Sequence, residues 1–124
     1  MGAKAALAAE ERRWKQIVSD IPTDLQVLVG SYIETTTEHL EKLDQAVRAG
    51  LAEEVEQIAH RCSGCSDMFG IKALAGPLRR LERLGRQGQL AQADKVLLQT
   101  RKDWERLKHY LSLLRDKKIK HGVH

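Results

Sequence analysis

The residues of this chain best suited to chemistry are His60, Gly64 and Ser66, in the run Ile58-Ala59-His60-Arg61-Cys62-Ser63-Gly64-Cys65-Ser66-Asp67-Met68-Phe69-Gly70. The apolar residues Leu51, Val55, Ile58, Cys62, Cys65 and Phe69 alternate spacings of four and three, which makes one seam of a helix. His60 lies off that seam. At about 100° per residue it stands roughly 160° from both Ile58 and Cys62, and Gly64, one turn on, only about 40° from it. A histidine on the wet face of a core helix, beside a residue with no side chain, can be approached by a partner molecule. The reference pKa of histidine, about 6.5, leaves its ring largely neutral near pH 7 and therefore nucleophilic. The pattern predicts a reactive imidazole and not a packed one.

A ring so placed depends on helices to hold it, and the chain reads as helices throughout. A first helix is predicted from about Ala3 to Val18, with Leu7, Trp14, Ile17 and Val18 on one side. Pro22 ends that region, because the residue before a proline is pushed out of the helical well, and Thr23 or Asp24 can cap a second helix. That helix carries Leu25, Leu28, Val29, Tyr32, Thr36, Leu40, Leu43 and Val47 on one face, and Gly50 fits its end. The third runs from about Ala52 to Phe69, contains His60 and stops at Gly70. In the fourth, Ile71, Leu74, Leu78, Leu81 and Leu84 are in register, Gly76-Pro77 predicts a late start or a kink, and Gly85 and Gly88 bracket the end. The fifth, about Leu90 to Leu114, aligns Leu90, Ala93, Leu97, Thr100, Trp104, Leu107, Leu111 and Leu114.

No strand pattern competes with these seams. Short connections make consecutive helices antiparallel neighbours. The expected fold is all-α: an antiparallel up-down-up-down four-helix bundle over about residues 23–114. The additional N-terminal helix, about 3–18, is expected to pack across one end as a lid, and residues 115–124 to form a loose tail. Residues 1–124 are expected to be a single domain.

Composition narrows the function classes. Hydrophobic residues make up 42% and only five residues are aromatic, so the core must be built mainly from Leu, Val, Ile and Ala. The longest apolar runs are far too short to span a bilayer, and no membrane partner is expected. The alanine-rich start is followed at once by Glu10, Glu11, Arg12 and Arg13, which is unlike a signal peptide. With two cysteines and no export signal, a cytoplasmic, reducing setting is expected. The net charge of +4 is scattered among acids, apart from Arg115-Asp116-Lys117-Lys118-Ile119-Lys120, and no nucleic-acid-reading motif is visible, so no nucleic-acid partner is expected.

The same residues have blander readings. Cys62-Ser63-Gly64-Cys65 is formally a CxxC, but a structural zinc site wants four ligands, usually from two pairs, and there is no second pair. Both cysteines fall on the apolar seam, where a free cysteine acts as a small hydrophobe, so no metal ligand is expected. His39 and His109 lack the neighbours of His60 and read as surface or boundary residues, while His121 and His124 lie in the tail. Trp14 and Trp104 read as core or lid anchors.

His60, Cys62, Gly64, Ser66 and Gly70 together resemble the signature of the histidine-containing phosphotransfer (HPt) domains of phosphorelays. The family pattern is His, any residue, apolar, Lys, Gly, small, Ser or Ala, then Gly at the tenth position after the His. The helical layout resembles the family over about residues 20–115. The resemblance implies that His60 Nε2 carries a phosphoryl group, received from a receiver-domain aspartyl phosphate and returned to another such aspartate. It implies that Gly64 lets the receiver approach, that Ser66 assists packing or helix hydrogen bonding, and that Gly70 is structural. The family often places Glu or Gln twenty-two positions after the His, which here is Glu82. A carboxylate there can accept the Nδ1 proton and orient the ring.

One position departs from the pattern: the family lysine is Ser63 here. Arg61, Arg79, Arg83 or Arg86 can replace its charge, with Arg79 and Arg83 favoured. Asp67, about 20° round the helix from His60 and two turns along, is expected to repel phosphate or help choose a partner. The phosphoryl or partner contacts are thus expected at Arg61, Ser63, Gly64, Asp67, Arg79 and Arg83. The chain shows no Gly-rich phosphate loop, so no kinase activity and no cofactor of its own are expected. The receiver is expected to supply a divalent metal, since phosphoryl transfer depends chiefly on positioning and charge neutralisation. The implied partners are receiver domains of a hybrid sensor histidine kinase and of a response regulator, met by a monomer. The alternative, which Ser63 in place of lysine favours, is a helical module that docks a receiver without carrying phosphate.

Overall fold

Three glycines divide the polypeptide into its helices. Gly50, Gly70 and Gly88 sit at φ of 72°, 72° and 69°, a left-handed well that costs residues with a Cβ roughly 1–2 kcal/mol. After each, the next N–H reaches back to a carbonyl of the preceding helix: Leu51 to Ala46, Ile71 to Ser66 and Gln89 to Leu84, each at 2.9 Å. The same C-terminal motif therefore closes three successive helices.

The structure, a computed structural model, describes residues 2–122, with side chains described through Lys117. Its elements are α1 (Gly2–Ser19), a 3-10 helix (Thr23–Leu28), α2 (Val29–Arg48), α3 (Ala52–Met68), α4 (Lys72–Arg86) and α5 (Leu90–Gly122). All are helical, and none is long and apolar enough to cross a membrane among the described residues.

Three boundaries and one buried face differ from the sequence expectation. The single helix expected from Thr23 is split, because Leu25 N–H bonds the Pro22 carbonyl at 2.9 Å and starts a tight 3-10 turn. Val27 is consequently 75% exposed, Leu28 also faces outward, and the buried face begins at Val29. Leu7 is exposed as well, so α1 buries only its C-terminal half, at Trp14 and Val18. α4 starts at Lys72, before Gly76-Pro77 and not after it. The amides of Leu74 and Ala75 both bond the Ile71 carbonyl, at 3.2 and 3.0 Å, which secures the first turn ahead of the proline. The tail expected to be loose from residue 115 is helical backbone as far as Gly122, since no proline or glycine interrupts residues 115–121. The His121 side chain and His124 lie outside the described residues.

α3 packs on α4, α4 on α5, α5 on α2 and α2 on α3, while α1 packs against α5. Leucines dominate the space enclosed, among them Leu40, Leu43, Leu78, Leu81, Leu107 and Leu111. Tyr32 of α2 ties three elements together. Its hydroxyl lies 2.8 Å from Ser66 Oγ on α3, its ring 4.6 Å from Phe69 and 5.8 Å, edge-on, from Trp104 of α5. Burial holds the Tyr32 proton on well above the usual phenol range. Ser66 thus hydrogen-bonds between helices.

Candidate functional site

α3 buries Val55, Ala59, Cys62, Ser63 and Ser66. This stripe is rotated from the apolar seam: Leu51 is exposed, and Ile58 and Cys65 are half-buried. The cause is α4. At Gly85 the α4 backbone comes so close that an added Cβ would meet Glu56 N at 2.7 Å and the Ala52 carbonyl at 2.9 Å. Glu56, His60, Ser63 and Asp67 form one row along α3, three and four residues apart, and that row runs beside α4. Only small side chains fit where the helices touch, so Ser63 is drawn inward.

The same row carries polar cross-links. His60 Nδ1 lies 3.2 Å from Glu82 Oε1. Arg86 Nη2 donates to Glu82 Oε2 at 3.0 Å, and Arg86 Nε donates to Glu56 Oε2 at 2.7 Å. Glu56 first, then Glu82, stabilises the Arg86 charge and raises its pKa further. Further along, Arg79 pairs with Asp67.

An ionised carboxylate only accepts hydrogen bonds, so the His60–Glu82 contact places the ring proton on Nδ1. In the neutral imidazole the lone pair is then on Nε2. The His60 side chain is 73% exposed. It sits in a shallow depression of about 330 Å³ with Gln57, Arg61, Glu56 and Glu82. Arg61 is exposed there and has no carboxylate partner among the described residues. Gly64 is also exposed, and a Cβ built on it would have no atom within 4 Å. The arrangement can hold a nucleophilic nitrogen in water, proton side tethered, with Arg61 beside it.

The expected site residues are therefore partly regrouped. His60, Arg61 and Glu82 line one depression, Gly64 is exposed one turn along α3 from His60, and Gly70 caps α3 just beyond. Ser63, expected at the partner face, is only 5% exposed, and its hydroxyl donates to the His60 carbonyl at 2.8 Å. Arg83 lines a groove between α4 and α5 and is absent from the His60 depression. Arg79 is engaged by Asp67. Arg86, not among the favoured arginines, is the one that reaches Glu82. Glu56 was not anticipated, although its place one turn before His60 on the same row was a signal.

The cysteines, His39 and His109 take no part in these contacts. Cys62 is buried, and burial pushes its thiol up to about 12. Among the described residues no three His, Cys, Asp or Glu gather as metal ligands do. His39 is half-buried with Nδ1 unpartnered, and burial, then Arg61 and Lys42, lower its pKa.

A family model described as "Hpt domain" matches residues 27–117. Among solved structures, the chain is similar to the histidine-containing phosphotransfer protein B (HptB) of Pseudomonas aeruginosa, with a TM-score of 0.72 and 25% sequence identity. That match covers 85% of this chain and 92% of the other. No curated protein sequence matches the chain.

Proposed function

The chain belongs to the Hpt domain family, and on that premise we propose that it is a phosphorelay shuttle in which His60 is the phosphoacceptor. The reading rests above all on the exposed ring with Nδ1 held by Glu82. The Nε2 lone pair attacks the phosphorus of a receiver aspartyl phosphate. The N–P bond forms, the P–O bond to the aspartate breaks, and that carboxylate leaves with the electron pair. The product ring is cationic with its proton on Nδ1, and the Glu82 carboxylate stabilises it there. Reversal of these steps on a second receiver's aspartate discharges the group.

Arg61 takes over the charge of the missing family lysine, being the cation beside His60 that no carboxylate holds. The Asp67–Arg79 pair forms part of the rim that a receiver meets. The divalent metal belongs to the receiver's acidic pocket. The partners are receiver domains of a hybrid sensor kinase and of a response regulator, met in the cytoplasm by a monomer.

The bundle is antiparallel, up-down-up-down. Supporting this, the α3–α4 contacts pair 56 with 86, 60 with 82 and 67 with 79, so one helix counts up as the other counts down. Likewise Asp44 meets Arg101 while Gly30 faces Arg115. α1 is an added helix lying on α5, where Glu10 pairs with Arg106.

Incubation with a receiver carrying labelled phosphate tests the reading. The expected result is label on this chain in an acid-labile, alkali-stable form. Stable binding with no label would establish the passive docking module in its place.

A second expectation concerns Gly64. In Gly64→Gln the added side chain points into open space, and a helix-interior glycine is replaced, so stability should rise by roughly 0.5–1 kcal/mol. Transfer from the receiver should fall about ten- to a hundredfold, because the reacting atoms are held apart. Labelling by the small donor phosphoramidate should not change. Equal losses with both donors would show that Gly64 does not line the approach.

A further inference from the structure

Arg80, Arg83 and Lys95 are dispersed in a sequence with no basic stripe, yet they fold onto one groove between α4 and α5, about 570 Å³ in volume. Asp103 is the one carboxylate in it, and its Oδ1 already accepts from Gln99 Nε2 at 3.1 Å. None of the three cations has an ion-pair partner among the described residues. The other two grooves on α5 carry no such surplus, one being balanced and the other acidic. In one, Asp44 takes both Arg48 and Arg101, at 3.1 and 3.3 Å. In the next, Glu10 takes Arg106. Among these grooves on α5, the one against α4 alone thus carries surplus positive charge.

We propose that the α4–α5 groove is a second docking surface, separate from the His60 depression, that receives an acidic segment of a partner protein. The two sites share α4 but no residue. Glu82 and Arg86 lie on the side of α4 toward α3, and Arg80 and Arg83 on the side toward α5. A segment held in the groove leaves His60 uncovered. It would tether a partner while receivers exchange at the ring, raising their local concentration.

The dimensions and lining select the occupant. Along α5 the groove runs from Gln92 to Asp103, about 16 Å at 1.5 Å per residue, or roughly three turns of a helix. Gly76, Pro77 and Val96 supply an apolar floor. Carboxylates one turn apart on an amphipathic segment would meet Arg80, Arg83 and Lys95 while apolar side chains cover Pro77 and Val96. A nucleic-acid backbone fits less well, because such binders commonly neutralise about 6–10 phosphates.

The test uses the full chain, isotopically labelled for amide NMR, and two synthetic helical peptides of about 12 residues. One carries Glu at positions one turn apart with Leu between; the other has Lys in place of Glu. Only the acidic peptide should bind, with shifts confined to α4 and α5 residues around Arg80, Lys95 and Val96 and weakening as salt rises. The double variant Arg80→Glu/Lys95→Glu should weaken binding about tenfold or more through like-charge repulsion. Arg80→Gln/Lys95→Gln should show a smaller loss, and labelling of His60 by phosphoramidate should be unchanged in both. Shifts centred on the α3 face, undiminished binding by the charge-reversed variant, or tighter occupancy of the groove by a single-stranded RNA oligonucleotide would each overturn the proposal. A failure of His60 to accept phosphate leaves these readouts intact, so the two claims are tested apart.

Discussion

Replacing His60 by Gln should reduce phosphoryl acceptance from a labelled receiver to less than about one-thousandth of the wild-type rate, because the nucleophile itself is removed. The fold should not change. The side chain is 73% exposed, and its polar contact is the single one to Glu82, at 3.2 Å. Surface substitutions of this kind stay within about 0.5 kcal/mol, so the thermal transition should be unaltered. The other described histidines do not offer a substitute. His39 keeps Nδ1 buried, and His109 stacks edge-on against Tyr110 at 5.0 Å. Label that persists on His60→Gln would move the acceptor elsewhere and sink the assignment. A variant that binds the receiver as tightly as wild type but carries no label separates loss of chemistry from loss of docking.

How much of this site was readable beforehand depends on what each residue needed to know about its surroundings. His60, Gly64 and Ser66 lie within one helix and Gly70 caps it, so spacing alone orders them, and the family pattern added Glu82. The arginines of α4 were harder. Measured from Arg79, Arg83 lies about 40° round the helix one way, and Arg86 about 20° and Glu82 about 60° the other way. Which of these faces α3 depends on how two helices approach, and single-chain periodicity is silent on that. Arg86 therefore reached the site and Arg83 the far groove. Ser63 was misplaced for a related reason: hydrophobicity marked the seam, but contact with α4 turned the helix toward its small residues. The long second helix failed at Thr23–Leu28 because 3-10 and α-helices share the three-residue spacing that marked it. The leucine seams of α4 and α5 were recovered because each is long enough for the period to be unambiguous.

The close approach of α3 and α4 carries the second large expectation. Gly85→Ala should destabilise the protein, although alanine is the better helix former by about 1 kcal/mol. The added Cβ would sit 2.7 Å from Glu56 N and 2.9 Å from the Ala52 carbonyl. Both are backbone atoms of the neighbouring helix and cannot rotate away, so the helices must separate. Overpacking of this kind costs about 1–3 kcal/mol, which for a chain of this size lowers Tm by roughly 5–10 °C. The displacement should also be felt in the chemistry. Gly85 adjoins Arg86 and stands one turn from Glu82, so moving α4 outward lengthens the Glu82 contact to His60 and the Arg86 contact to Glu56. Imidazole nitrogen NMR reads this directly: the Nδ1-protonated tautomer should lose population in Gly85→Ala while it is retained in Gly64→Ala, where the new methyl meets nothing. Should Gly85→Ala melt at or above the wild-type temperature, the two backbones are not in contact at that point. The account of why Ser63 turns inward, and why Glu82 reaches the ring, would then lose its mechanical basis.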